Sequence, residues 1–136
     1  MAATWTDATG RAWAFGLTVG GLRKLARLTG ATLADLFPLR GGQLNAAPLL
    51  ALLADPARLT AAAWACLPPD DRAAITARDF GDLITADLLP PLRDAVFSSL
   101  IDFFPPAVRV IARAARKGAK EAEEKTTAEV AAICGE

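Results

Sequence analysis

Aspartates are the residues whose number could suggest chemistry: Asp70, Asp71, Asp79, Asp82 and Asp87 fall close together, and grouped carboxylates can hold a divalent cation. They lack the alternate spacing and terminal glutamate of a calcium loop, so capping and turn roles account for most of them. Asp79-Phe80-Gly81 spells the magnesium-binding tripeptide of protein kinases. In a chain of 136 residues with neither a glycine-rich strand nor a catalytic loop, it reads as coincidence. Ser98 and Ser99 have no base to activate either hydroxyl. Histidine is absent altogether, which removes the commonest general acid/base and metal ligand. Cys66 and Cys134 are too far apart for a redox pair or zinc knuckle, and Cys66 has no cation within a turn to activate it. The glycines of Arg40-Gly41-Gly42-Gln43 are not followed by Lys-Ser/Thr, so they form a connector rather than a phosphate cradle. The sequence therefore predicts a protein that is not an enzyme, with no catalytic residue, metal ligand or cofactor site.

The 15 basic and 15 acidic side chains cancel, leaving no long-range field to draw the chain toward nucleic acid or an acidic membrane. The hydrophobic fraction is 53%, much of it alanine, which favours close-packed helices over a thick aromatic core. The first residues carry no basic segment followed by an apolar run, and no apolar stretch is long enough to span a bilayer. The expectation is a soluble cytoplasmic protein with reduced thiols and no membrane partner.

Local signals place the elements. Thr4-Trp5-Thr6 and Arg11 to Phe15 flank the turn-rich Asp7-Ala8-Thr9-Gly10 and predict a β-hairpin with Trp5, Trp13 and Phe15 on one face. Thr18 can cap a helix with Leu22, Leu25 and Leu28 on one side and Arg23, Lys24 and Arg27 in water, ending at Gly30. Thr32 with Asp35 is a loose capping box for a short helical turn. Leu49 to Leu53 is an apolar turn or two, and Asp55-Pro56 opens a helix reaching Cys66. Leu67-Pro68-Pro69-Asp70-Asp71 predicts an exposed loop. Thr76 caps a further short helix, and Pro90-Pro91 place a helix start or kink near Leu89.

From Leu89 onward the apolar content exceeds what one core-facing stripe needs. Leu92, Val96, Leu100 and Phe103 make the expected core stripe, while Phe97, Ile101 and Phe104 continue it around the helix. This second strip is either covered by the chain itself or accepts a partner helix or a second copy. Farther on, Val108, Ile111 and Ala115 fall on one side and Arg109, Arg113, Arg116 and Lys120 on the other. The basic side is either a solvated face or a nucleic-acid surface, and the glutamates that follow disfavour the latter. The expected fold class is mainly α: a compact helical bundle with a short N-terminal β-hairpin (3–15) and a projecting C-terminal helix. Residues 1–117 would form a single domain, and 118–136 a helical or frayed tail.

Leu17-Thr18-Val19 leading into Leu22 to Leu28, Leu52-Leu53-Ala54-Asp55-Pro56 leading into Trp64, and Phe80-Gly81-Asp82 followed by Leu100-Ile101-Asp102-Phe103-Phe104-Pro105 resemble the small helical tail assembly chaperones of long-tailed bacteriophages and prophages. That resemblance implies a cytoplasmic protein of the bacterial host cell that self-associates and holds an aggregation-prone tape measure protein during tail assembly, without a cofactor. The expected partner is thus a phage tail structural protein. The competing expectation is a small helical nucleic-acid-binding regulator using Arg109, Arg113, Arg116 and Lys120.

Overall fold

The computed structural model describes residues 3–36, 39–40, 43–44, 47–104 and 106–134. Strands β1 (Ala3–Thr6) and β2 (Ala12–Phe15) pair antiparallel with Trp5 opposite Trp13. The two-residue period therefore puts Trp5, Trp13 and Phe15 on the inner face, and all three are buried. The turn between the strands uses Gly10 at φ +91°, where a side chain would be strained.

Helix α1 (Val19–Thr29) starts where the Thr18 hydroxyl accepts from the Gly21 N–H and stops at left-handed Gly30. In α2 (Leu33–Leu36) the capping box forms as a reciprocal pair: the Asp35 N–H donates to Thr32 Oγ1, and the Thr32 N–H to the Asp35 carboxylate. The Thr32 N–H, and with it the Thr32 hydroxyl, holds the Asp35 pKa below the usual carboxylate value. Strands β3 (Leu39–Arg40) and β4 (Gln43–Leu44) pair where the sequence predicts only a loop, while Gly41 and Gly42 lie outside the described residues. Helix α3 (Ala47–Ala54) leads to α4 (Pro56–Cys66), capped by Asp55 on the Ala57 N–H.

The segment after Leu67 corrects the expectation of an exposed loop. Pro69 takes the first helical position, where its missing N–H costs nothing, and α5 (Pro69–Ala74) follows with Leu67 buried behind it. Helix α6 (Ala77–Asp82) is capped by Thr76 on the Asp79 N–H. A 3-10 turn (Ala86–Leu88) then leads into α7 (Leu89–Ile101), which carries its two prolines in the first turn, as their missing donors require. Helix α8 (Pro106–Cys134) runs unbroken through position 117, so the backbone shows no change where a tail is expected to begin.

The core lies among α1, α3, α4, α7 and the hairpin. Phe80 is its aromatic centre, with ring centroids 5.3 Å from Trp13, 5.8 Å from Trp64 and 6.0 Å from Trp5. Each well-placed pair contributes about 0.5–1.5 kcal/mol beyond simple burial. Crossing contacts tie the layers: Trp5 Nε1 donates to Leu88 O, Gly16 N to Cys66 O, and Arg93 Nε to Leu53 O. At Gly21 the α1 backbone comes so near α4 that a Cβ would stand 2.7 Å from Ala65 O and 3.0 Å from Leu17 Cδ1. No single helix among the described residues is long and apolar enough to cross a membrane. Helices α3 and α4 are apolar enough together, but they meet at 99° and their buried residues belong to the core.

Asp7 organises the hairpin turn from inside. Its carboxylate accepts from Trp13 Nε1 at 2.8 Å, from the Thr9 N–H at 2.8 Å and hydroxyl at 2.6 Å, and from the Arg11 N–H at 3.1 Å. Burial pushes its pKa up, but the combined donors outweigh burial and bring it down to about 2. A folded-state value below the unfolded 3.8 stabilises the protein fully above pH ~4 and loses that contribution as pH falls toward 2. Asp7→Asn, with one acceptor oxygen for four donors, should cost about 1–3 kcal/mol at neutral pH. It should also flatten this part of the acid-unfolding curve, as followed by tryptophan fluorescence.

Candidate protein-docking surfaces

The strip of Phe97, Ile101 and Phe104, for which the sequence leaves both a covered and a partner-binding reading open, is part of the interior. Phe97 is 6% and Ile101 0% exposed, and half-buried Phe104 packs against the same core. The reason is that α7 is covered from several sides, by β1, α3, α4 and α8, so its wide apolar surface is used by the chain itself. Phe103, expected in the core stripe, is instead 38% exposed, because the helix ends at Ile101 and the chain turns there.

Helix α8 is also rotated from the expected setting. Its seated face is Val108, Ala112, Ala115 and Arg116: Ala112 and Arg116 are buried, and Val108 packs on the core. Arg116 and Lys120, two of the four expected nucleic-acid contacts, close on Asp94 of α7 at 3.2 and 2.9 Å. The Arg116 side chain is 9% exposed, and its Nε lies buried without a hydrogen-bond partner. Arg113 is exposed and Arg109 half-buried, and neither forms an ion pair among the described residues. The basic row is therefore split, two of its members serving to hold α8 against α7.

The uncovered apolar groups lie elsewhere. Val110 is 66% and Ile111 45% exposed, and helical spacing puts exposed Ala114 beside both. Gly118 continues this outer strip one turn on. Nothing among the described residues lies within 4 Å of where its Cβ would be, so no contact among them requires glycine there. The sequence pattern places Ile111 on the inner side and gives no signal for Val110, because helices seated on 108-111-115 or on 108-112-115 look nearly alike until the Asp94 contact fixes the rotation.

A second surface lies on α1. Val19, Leu22 and Ala26, with Thr32 and Ala34 across from them and Arg23 at the edge, line an open, mainly apolar groove of about 350 Å³. Val19 is 61% exposed.

Several of the groups with reactive chemistry have structural roles. Burial pushes the Cys66 thiol up to about 12 despite the opposing pull of Arg72, so it is a protonated core group at neutral pH. Thr85 Oγ1 donates to Asp87, Asp79 sits in the first turn of α6, and Arg11 pairs with Asp71 at 3.6 Å. Ser99 Oγ donates to Ala95 O. Among the described residues no three His, Cys, Asp or Glu side chains are grouped so as to hold a metal ion. No protein-family model, curated protein or solved structure matches this chain.

Two substitutions check these placements. Asp94→Ala leaves Arg116 buried without its carboxylate. It should cost about 1–2 kcal/mol, less than a fully buried pair because Asp94 is 47% exposed, and should speed amide exchange in α8 around Ala112 to Lys120. Phe97→Asp should abolish the cooperative thermal transition, since an unpaired charge in the core costs more than a marginally stable domain can spare.

Proposed function

We propose that this protein is a non-enzymatic adaptor of the assembly-chaperone kind, which holds an apolar helical segment of a phage tail structural protein. The observation that carries the reading is the outer strip of α8. Its 29 residues span ~43 Å, against ~20 Å for the 13 of α7, and Asp94 fixes the antiparallel alignment of the two. Helix α8 thus passes the start of α7 within a few turns of Lys120 and continues on to Cys134. Along its seated part it turns Val110, Ile111 and Ala114 to solvent, where burial of a valine or isoleucine by a partner contributes about 1.5–3 kcal/mol each. Gly118, a residue that costs a helix interior about 1 kcal/mol relative to alanine, leaves room for a second helix to approach closely.

This arrangement suits a helix-against-helix contact in which apolar residues at i, i+3 and i+4 are covered. It also agrees with the resemblance to tail assembly chaperones, whose clients are apolar and helical. The nucleic-acid reading draws less support, because two of its four cations already neutralise Asp94.

A photo-crosslinking amino acid placed at position 110, in the bacterial host, should join the protein to an apolar helical segment of a tail structural protein. Ile111→Asp should reduce that adduct at least ten-fold while leaving the thermal melt unchanged, since Ile111 is not part of the core. Recovery of nucleic acid, or of no adduct at all, would overturn the reading.

A further inference from the structure

We infer that the groove between α1 and α2 is a second docking site, and that it takes an amphipathic helix whose margin is acidic. The inference does not depend on α8 or on the identity of its client.

Three observations carry it. The groove is built from Val19, Leu22, Ala26 and Ala34, so its floor favours aliphatic side chains. Its size, about 350 Å³, is that of a small binding pocket, and it lies open along α1, as a helix laid into a groove requires. Every charged side chain of α1 is basic: Arg23 lines the groove, Arg27 follows one turn later on the same side, and Lys24 lies farther round. None of the three forms an ion pair among the described residues.

The one carboxylate of α2, Asp35, is turned back onto the Thr32 N–H and does not meet Arg23. The N-terminal, positive end of the α1 dipole also lies at the Val19 end of the groove. Asp35 keeps its negative charge on the α2 side, but along α1 every charge at the groove is positive, and the cations outnumber that single carboxylate. A chain of zero net charge that gathers unpaired cations beside an exposed apolar row presents a local complement to carboxylates spaced i, i+4 along an apolar helix. A basic or uniformly apolar helix would leave Arg23 and Arg27 without partners.

The test uses the full chain and two fluorescently labelled helical peptides of the same apolar row, one with glutamates and the other with lysines at the flanking i, i+4 positions. Fluorescence anisotropy should show binding of the glutamate peptide, weakening as salt is raised, and at least ten-fold weaker binding of the lysine peptide. The double variant Arg23→Glu/Arg27→Glu should reverse that preference. Val19→Asp should remove binding of both peptides. Val19, Arg23 and Arg27 are exposed, so the thermal melt should hold in every variant, and Ile111→Asp should leave the binding as in the parent. Equal binding of the two peptides, no binding of either, or loss with Ile111→Asp would overturn the inference. So would a dimer of the protein alone, seen by light scattering and abolished by Val19→Asp, since a second copy would then occupy the groove.

Discussion

Burial of Phe80 among three tryptophans is the interaction on which the rest of this structure depends. A two-stranded hairpin of four-residue strands does not persist in water by itself. Here β1 and β2 deliver Trp5 and Trp13 onto Phe80 from one side, and α4 delivers Trp64 from another. The short α6, too brief to be stable alone, is held in place by the ring it supplies. The cost of sinking two indole N–H groups is offset locally: Trp13 donates to Asp7 and Trp5 to Leu88 O. Aromatic packing thus makes the hairpin necessary, and Asp7 makes its turn compatible with that packing.

Around this centre the elements are held by very different means. Helices α4 and α7 are buried over most of their surface, with Leu59, Ala62, Ala63, Cys66, Leu92, Val96, Leu100 and Ile101 all fully covered. Among the described side chains, helix α8 is seated by Ala112, half-buried Val108 and Ala115, and the polar contacts of Arg116 and Lys120 with Asp94. Covering one methyl-sized side chain is worth only about 0.8 kcal/mol. Among the described residues, a firmly packed body is joined to a helix seated by modest contacts, and the two most exposed large apolar side chains, Val110 and Val19, lie on α8 and α1 at the margins of the core.

Much of the fold was legible in the sequence because its signals were local. Thr18, Asp55 and Thr76 each cap the helix that follows, Gly30 ends α1, and the spacing of Trp5, Trp13 and Phe15 gives the hairpin its inner face. What escaped was decided by neighbours distant in sequence. Phe97 and Ile101 look like surplus apolar surface until α7 is seen to have neighbours on several sides. The rotation of α8 turns on Asp94, which no local pattern links to Arg116. Pro68-Pro69 reads as a break, yet a proline at a helix start is favoured, and the buried Leu67 anchors the turn that makes it one. The candidate surfaces were the least legible part, since exposure belongs to the assembled fold: Val19 and Val110 are ordinary helix residues by type.

The close approach at Gly21 has a consequence for how this protein can change over generations. Even one methyl group there would strike Ala65 O, so the seating of α1 on α4 admits only glycine at that position without a shift of backbone. Val19 and Arg23, on the same helix, face outward and touch nothing that the core requires. Selection can therefore rewrite the outer face of α1 residue by residue while its position stays fixed. The freedom to vary and the prohibition on varying sit within two residues of each other, on opposite sides of a single helical turn.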